Sequence, residues 1–271
     1  MGSDFSAKAA AAWLHQRKVS REPFAALSGS HLPTTMGQAY DVADQYVGLC
    51  CTHENARPVG YKIALTTPQM RAFVGYSDSV AGSVLSTTTY ASGAALSESS
   101  FVHMAFECEI AFLVSREVTA QDALSLASIA QCIEAVAPAF ELVDDLNADY
   151  SAFGKDDGAT LKSLAAGNAW NHGVVLGQWR RDWRSIDLGA LHGQAFINGE
   201  LQGEGYGRDV LGHPLEAMCW IARHLLSRGR SLKPGEFVIT GSLITTKFPK
   251  PGDSVRYLAT ELGEVSMTVT A

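Results

Sequence analysis

The 271-residue sequence has few cysteines, no long apolar run and no cluster of positive charge. Its five cysteines are odd in number and none has C-x-x-C spacing, which excludes a disulfide framework and the common zinc sites. The longest uncharged run, residues 79–97, is rich in Ser, Thr and Gly and is not typical of a membrane span. Asp4 and Lys8 interrupt the Ala-rich start where a signal peptide needs an apolar block. We therefore predict a protein of the cytoplasm.

The charge balance narrows the class of partner. With 21 basic and 28 acidic residues the formal net charge is −7, which argues against a nucleic-acid or membrane-surface partner. The sequence has no G-x-S-x-G, P-loop or H-E-x-x-H motif, and its glycines at 203–207 lack the spacing of a nucleotide-binding fingerprint. A small-molecule ligand is the partner that these features favour.

Hydrophobic periodicity separates a helical start from a β-rich remainder. Thr35 with Gln38 forms a capping-box pattern that opens a helix to about Leu49. Further helices are predicted at 121–136 and after His213-Pro214. Short apolar runs broken by Gly and Ser predict seven strands, near 59–65, 106–114, 139–143, 172–177, 193–198, 236–240 and 264–270.

Irregularly spaced strands with few helices indicate an α+β fold. No repeat, low-complexity tail or long linker divides the sequence. We predict a single domain over residues 1–271, made of a helical N-terminal region (1–57) and a β-rich catalytic region (58–271).

The segment FECEIAFLV places two carboxylates inside an apolar run. On a strand, Glu107 and Glu109 share one face while the apolar side chains share the other, and a solvent-exposed strip is the simplest explanation of that pair alone. A second apolar segment, PAFELVDD, carries Glu141. Three carboxylates that meet in an apolar pocket repel one another unless they are protonated or bind a cation, and Mg²⁺ or Mn²⁺ suits oxygen ligands.

Lys62 is the other unusual charge, a lone ammonium in the segment GYKIALTTPQM between Val59 and Leu65. A lysine at such a position either extends its amine to solvent or serves a buried site. Beside an anionic substrate, the ammonium could bind the substrate carboxylate or transfer a proton.

Seven segments in order along the chain resemble the 2-keto-4-pentenoate hydratase and 4-oxalocrotonate decarboxylase group of the fumarylacetoacetate hydrolase superfamily: GYKIALTTPQM, FECEIAF, PAFELVD, GNAWNHGVVLG, INGELQGEG, VLGHPLEAMCWIARHL and LKPGEFVITGSL followed by KPGD. The resemblance implies a mixed β-sandwich roll of the superfamily's C-terminal type behind a helical N-terminal region. It also implies a homo-oligomer, alone or in complex with a sister decarboxylase or hydratase.

The resemblance assigns the charged residues to one site. It implies that Glu107, Glu109 and Glu141 bind Mg²⁺ or Mn²⁺ and that Lys62 lies beside them. The implied substrate is a 2-oxo or 2-hydroxydienoic acid, whose carboxylate and keto oxygen can chelate a metal that stabilises an enolate.

Further residues are candidates for contact with the substrate. Leu65, at the end of the lysine segment, and Gly241-Ser242, which match the family's substrate-side turn, are predicted to bind it, although an ordinary turn at 241–242 is an equal alternative. His103, just before the glutamate pair, is a candidate for a second proton-transfer group.

Two departures from the family pattern bear on the reaction. Val80 stands where hydratases of the family carry an acidic residue, so Asp78, two residues earlier, is the candidate for that catalytic role. Gly167 and Trp170 replace a carboxylate and a hydroxyl in AGNAWN, and Trp170 is predicted to narrow the pocket or stack on a planar dienoate.

We therefore predict a divalent-metal-dependent lyase that hydrates a 2-hydroxyalka-2,4-dienoate to a 4-hydroxy-2-oxo acid in aromatic meta-cleavage catabolism. The alternatives are a decarboxylase of a 4-oxalocrotonate-like diacid, with Lys247 or Arg71 as partner of the second carboxylate, and an acylpyruvate-type C–C bond hydrolase. A catalytically inactive partner subunit is a more distant alternative.

Overall fold

A computed structural model describes residues 5–271 and contains six α-helices in that range: α1 (Ala7–Val19), α2 (Met36–Glu54), α3 (Pro68–Val74), α4 (Leu126–Ala130), α5 (Ala159–Ala166) and α6 (Pro214–Ser227). The helix starts follow local capping signals. Thr35 accepts a hydrogen bond from the Gln38 N–H at 3.2 Å, which confirms the predicted start of α2, and His213 caps α6 by accepting from the Leu215 N–H at 3.1 Å. None of the helices in the described part of the chain has the length and apolarity needed to cross a membrane.

The described chain also contains twelve strands: β1 (Pro58–Ala64), β2 (Val80–Leu85), β3 (Thr89–Ala91), β4 (Ala94–Ser97), β5 (Met104–Val114), β6 (Ile133–Asp144), β7 (Asn171–Leu176), β8 (His192–Ile197), β9 (Glu200–Tyr206), β10 (Phe237–Ile239), β11 (Ser254–Ala259) and β12 (Gly263–Thr270). All seven predicted strands are present. Sequence reasoning missed β2, β3, β4, β9 and β11. The first three lie in a Ser-, Thr- and Gly-rich segment, whereas β11 alternates regularly between buried and more exposed residues and was overlooked.

The strands form two mixed sheets. The larger has seven strands in the order β2-β1-β10-β5-β6-β7-β3, and the smaller has five in the order β4-β12-β11-β8-β9. Parallel pairs (β1 with β10, β3 with β7, β4 with β12) occur among antiparallel ones. The two sheets share one apolar core, in which Phe140 of β6 lies 6.3 Å from Tyr257 of β11 between ring centroids. The α+β fold class is confirmed, and the single domain stays a prediction.

The predicted helix at 121–136 is wrong over most of its length. Only α4 is helical there beyond one short 3₁₀ turn, and β6 begins at Ile133. Ile133 pairs with Val114 at the end of β5, so pairing of two long strands prevails over the local helical periodicity.

The long antiparallel pair of β5 and β6 positions the carboxylates. Glu107 lies directly opposite Glu141 in this pair. Phe106 and Phe140 point into the shared core on the other face, where both are fully buried. The alternation that buries the phenylalanines therefore projects the glutamates together from the opposite face.

Candidate metal centre

Three glutamates converge on one face of the seven-stranded sheet. Glu107, Glu109 and Glu141 each offer a carboxylate oxygen, and these three atoms all lie within 4.8 Å of one another. Glu109 and Glu141 have no exposed surface, whereas Glu107 is half-buried. Like charges so close in a dry environment repel strongly, so the cluster needs protons or a cation.

Neighbouring donors satisfy one oxygen of each carboxylate. The Gly241 N–H donates to Glu109 Oε2 at 2.7 Å, and Asn171 Nδ2 donates to Glu141 Oε1 at 2.9 Å. The Thr246 hydroxyl donates to Glu107 Oε1. These donors fix the carboxylates in one orientation.

The second oxygens of the two buried glutamates remain unsatisfied. Glu109 Oε1 and Glu141 Oε2 are buried and have no hydrogen-bond partner among residues 5–271. Leaving a charged oxygen in this state costs free energy that a bound cation offsets. The all-oxygen donor set and the two unsatisfied atoms fit a hard divalent ion such as Mg²⁺ or Mn²⁺.

Burial and mutual repulsion shift the pKa values of the two buried glutamates. Burial, followed by repulsion from Glu141 and Glu107, raises the pKa of Glu109 well above its ordinary value. Burial also raises the pKa of Glu141, although Lys62 opposes the shift. Because metal ions bind the ionised carboxylates, metal binding at this cluster competes with protonation.

Lys62 on β1 lies against the same cluster and is 2% exposed. Its Nζ is 3.0 Å from Glu141 Oε1 and donates to the Ala169 carbonyl oxygen at 3.1 Å. Burial lowers the pKa of Lys62, but the negative charges of the glutamates, Glu141 foremost, outweigh burial and raise it. Lys62 is thus a buried ammonium. The opposite strand residue is Gly82, where a Cβ would lie 2.7 Å from the Asn168 carbonyl oxygen and 3.1 Å from Lys62 Cγ, so glycine leaves room for the backbone at 168 and for the lysine stem.

A left-handed turn holds the carbonyl that Lys62 contacts. Asn168, Ala169 and Trp170 have φ angles of 62°, 50° and 58°. Each such residue costs of order 1–3 kcal/mol of backbone strain, so surrounding contacts must hold the turn. The Asn168 side chain does so by accepting from the Ser83 N–H at 2.6 Å and donating to the Ser83 carbonyl at 2.8 Å.

Trp170 contributes an aromatic wall next to this turn. Its ring lies 5.3 Å from Phe24, 5.8 Å from Tyr150 and 6.1 Å from Phe153, in edge-to-face geometry. The indole Nε1 is buried and has no hydrogen-bond partner in the described part of the chain. The predicted role of Trp170 in narrowing the pocket stays a prediction.

The other predicted substrate-binding residues are already engaged within the protein. Leu65 is buried with φ of 61°, and its carbonyl accepts from Arg71 Nη1 at 3.2 Å. Gly241 has φ of 96° and gives its N–H to Glu109, as described above. Ser242 donates its hydroxyl to the Ile244 carbonyl at 2.6 Å. Their contact with substrate stays a prediction.

The two predicted proton-transfer residues lie in different surroundings. Asp78 is exposed, and its Oδ1 accepts from the indole N–H of Trp220 on α6 at 2.7 Å. His103 lies just before β5, with Nδ1 at 2.7 Å from Asp145 Oδ1 and its ring 4.9 Å from that of Phe248. Their catalytic roles also stay predictions.

Sequence reasoning missed Thr246 and Asn171 as partners of the glutamates. Asn171 lies at the end of the AGNAWN segment, so the departure from the family pattern pointed to its neighbourhood. Thr246 lies outside the regular strands, in a segment that runs beside β5 through the Phe106–Lys247 bridge, and no sequence pattern marks it.

A model of the fumarylacetoacetate (FAA) hydrolase C-terminal family matches residues 46–270. A 2-hydroxyhexa-2,4-dienoate hydratase of Comamonas testosteroni is 28% identical and is aligned over 95% of both chains. A 4-oxalocrotonate decarboxylase of a Pseudomonas species is 29% identical over 94% of this chain and 97% of its own. Among solved structures, the 4-oxalocrotonate decarboxylase from Pseudomonas putida G7, complexed with magnesium and adipate, superposes with a TM-score of 0.86 over 97% of both chains at 23% identity.

Proposed function

The chain belongs to the fumarylacetoacetate hydrolase family, and from that premise we propose that it is a metal-dependent lyase hydrating a 2-hydroxyalka-2,4-dienoate to a 4-hydroxy-2-oxo acid. This reaction belongs to aromatic meta-cleavage catabolism. The observation that carries the proposal is the convergence of three glutamates, two of them with unsatisfied buried oxygens, beside a buried lysine.

Glu107, Glu109 and Glu141 hold Mg²⁺ or Mn²⁺ in this proposal. The bound ion supplies a positive centre for the carboxylate and 2-oxo oxygens of the substrate and for the negative charge that develops on the enolate. The protein orients these ligands through Gly241, Asn171 and Thr246, as their hydrogen bonds to the carboxylates indicate.

Lys62 has one donor left for the substrate. An ammonium carries three N–H groups, and Glu141 and the Ala169 carbonyl take two of them. The third can bind a substrate oxygen or carry the proton that moves during hydration. The aromatic wall around Trp170 shields this exchange from bulk water and offers a face to a planar dienoate.

A decarboxylase of a 4-oxalocrotonate-like diacid is the second candidate function. The TM-score of 0.86 with a 4-oxalocrotonate decarboxylase supports it, as does the 29% identical decarboxylase. The same three carboxylates serve either reaction, because both pass through an enolate next to a 2-oxo acid group.

We also propose a homo-oligomer in the cytoplasm, in some settings joined to a sister enzyme. All five cysteines are free, which supports a reducing compartment.

Met70 and Phe73 on α3 are 43% and 48% exposed, and this apolar surface supports self-association.

Ultraviolet absorbance tests the proposed reaction. Freshly generated 2-hydroxypenta-2,4-dienoate is mixed with metal-stripped protein, and Mg²⁺ is then added. Loss of the dienol band only after Mg²⁺, with 4-hydroxy-2-oxopentanoate as product, is the expected result. A parallel assay follows CO₂ release from 4-oxalocrotonate. Turnover of that diacid alone favours the decarboxylase, and no turnover of either compound contradicts both functions.

A further inference from the structure

The segment that follows β10 continues along β5 beside the glutamates, but its pairing is irregular. β10 ends at Ile239, and residues 240–247, here called the bulged segment, stay hydrogen-bonded to β5 at three places. The bonded pairs are Thr240 with Ile110 at 3.1 Å, Leu243 with Cys108 at 2.9 Å, and Lys247 with Phe106 at 3.0 Å. From pair to pair the segment advances three residues (240 to 243) and then four (243 to 247), while β5 advances two each time (110 to 108 to 106). The extra residues form two consecutive bulges.

Each bulge directs one hydrogen-bond donor at a glutamate of the metal centre. In the first bulge, the Gly241 N–H donates to Glu109 Oε2 at 2.7 Å. In the second bulge, the Thr246 hydroxyl donates to Glu107 Oε1. A bulge takes residues out of the regular ladder and re-aims them, which frees these two groups to bind carboxylates. The attachment of the bulged segment to β5 therefore controls how Glu107 and Glu109 are oriented.

Ser242 attaches the bulged segment at Cys108, the residue between the two glutamates. Its Oγ accepts from the Cys108 N–H at 3.0 Å and from the Ile244 N–H at 3.4 Å, and it donates to the Ile244 carbonyl at 2.6 Å. Cys108 is 1% exposed, so its N–H needs a partner within the protein. The serine side chain therefore replaces the backbone acceptor that the bulge has displaced from β5.

These bonds use the full hydrogen-bonding capacity of the Ser242 hydroxyl. A hydroxyl has one hydrogen to donate and two lone pairs that accept. Both lone pairs face backbone N–H groups, and the hydrogen is shared between the Ile244 carbonyl and the Cys108 carbonyl, whose oxygen lies 3.3 Å from Oγ. A substrate oxygen could bind this hydroxyl only if one of the attachments to β5 or to Ile244 were broken.

We propose that Ser242 is a positioning residue of the metal centre. By attaching the bulged segment to β5, it holds the donors at 241 and 246 in place and so orients Glu109 and Glu107 for a divalent cation. The inference rests on the metal centre of the proposed function and replaces the substrate contact that the resemblance implies for Ser242. A positioning role changes cation affinity even when no substrate is present, whereas a substrate contact does not.

Calorimetry of Mg²⁺ binding to metal-stripped protein, without substrate, tests the inference. Ser242→Ala is expected to weaken Mg²⁺ binding by about 10–100-fold, the range for loss of a group that orients metal ligands. Ser242→Thr keeps the hydroxyl and is expected to retain most of the wild-type affinity. If Ser242→Ala does not fold, Ser242→Cys takes its place, because its thiol is a weaker donor and acceptor, and it is expected to bind Mg²⁺ less tightly than Ser242→Thr.

Two adjacent threonines of the bulged segment provide a matched pair. Thr246 donates to Glu107, whereas Thr245 is exposed and its hydroxyl accepts from Lys247 Nζ at 3.0 Å. Thr246→Val removes the donor that the second bulge supplies, so Mg²⁺ binding is expected to weaken by about tenfold. Thr245→Val makes the same change one residue earlier and is expected to keep the wild-type affinity. An equal effect of the two substitutions contradicts the role given to the bulges.

Other outcomes separate this inference from the function on which it rests. Wild-type Mg²⁺ affinity in Ser242→Ala together with a raised KM assigns Ser242 to the substrate and overturns the inference. Unchanged Mg²⁺ affinity with a lower Tm in the presence of a chelator assigns it a purely structural role and also overturns the inference. So does a loss of affinity in Ser242→Thr equal to that in Ser242→Ala, because the hydroxyl is then not responsible. Failure of the wild type to bind Mg²⁺ contradicts the proposed function itself.

Discussion

The two sheets carry similar charged side chains in opposite environments. In the five-stranded sheet, Arg256 and Glu264 form an ion pair at 3.2 Å with both side chains exposed. In the seven-stranded sheet, Lys62 and Glu141 form one at 3.0 Å with side chains 3% and 0% exposed. An exposed pair contributes about 0–1 kcal/mol, whereas a buried one repays its desolvation only if every oxygen is satisfied. The unsatisfied oxygen of Glu141 therefore marks the seven-stranded sheet as the one built for a ligand.

The largest effect on turnover is expected from removal of Glu141, the carboxylate of the buried ion pair. Glu141→Ala deletes one ligand and leaves the Lys62 ammonium buried without its carboxylate, so turnover is expected to fall at least about 10³-fold, with Mg²⁺ affinity reduced. Steady-state absorbance assays and calorimetry measure the two effects. Glu264→Ala removes the carboxylate of the exposed pair and is expected to change turnover less than about twofold. Wild-type turnover in Glu141→Ala contradicts the proposed site.

Lys62→Met tests the positive member of the buried pair. We expect kcat to fall about 10²–10⁴-fold, the range for loss of a proton-transferring group, while the methionine stem keeps the packing. Because a positive charge has been removed from beside the glutamates, Mg²⁺ affinity is expected to rise. Arg256→Met is the control in the other sheet. Weaker Mg²⁺ binding in Lys62→Met contradicts the arrangement of charges described here.

Binding of Mg²⁺ is expected to increase the free energy of unfolding of the protein. At a concentration 100 times its Kd, Mg²⁺ is expected to stabilise the protein by about 2.7 kcal/mol, which raises Tm by several degrees in a chain of this size. Glu109→Gln removes an anionic oxygen ligand, so the variant is expected to lose the Mg²⁺ response. Thermal unfolding with Mg²⁺ or with a chelator measures both. An equal response in the two proteins rules out Glu109 as a ligand.

The smallest expected effect concerns a histidine of the larger sheet. Burial lowers the pKa of His172 to about 4, so the folded state favours the neutral ring, which stacks on Phe101 at 3.9 Å. Unfolded chains take up a proton near pH 6.5. Stability from this group is therefore complete above that value and decreases as pH falls toward 4, by about 1 kcal/mol between pH 7 and 5.5.

His172→Gln is expected to remove this share of the pH dependence. Denaturant unfolding at pH 7 and 5.5 measures it as the difference between variant and wild type, which cancels contributions from other groups. If the dependence of the free energy of unfolding on pH is the same in His172→Gln as in the wild type, the pKa of this histidine does not differ between the folded and unfolded states.

The sequence reveals the members of the cluster that lie on regular strands. Glu107, Glu109 and Lys62 could be predicted because strand alternation and burial are local properties, legible in a run of about nine residues. The prediction of β6 succeeded around Glu141 for the same reason. Its beginning was missed because the pairing of Ile133 with β5 depends on a partner about twenty residues earlier in the chain.

Residues outside the strands were harder to predict. Thr246 reaches Glu107 across 139 residues of sequence, and the Asp78 side chain meets Trp220 across 142. Such contacts arise from how the sheets and helices pack, which no local pattern encodes. The family resemblance predicted that the three glutamates belong to one site, and the hydrogen-bond partners that orient them became visible only in three dimensions.

The left-handed turn at 168–170 has a consequence for how the centre responds to a ligand. The protein itself holds the strained turn, because the Asn168 side chain exchanges two hydrogen bonds with the backbone of Ser83 on β2. The Ala169 carbonyl is therefore already in position to bind Lys62, and this segment does not have to become ordered when a substrate binds. Ala169→Gly is expected to relieve the backbone strain and so increase the stability of the folded state. The same change would hold the carbonyl that binds the Lys62 ammonium less rigidly. At this turn, the chain gives up thermodynamic stability for preorganisation.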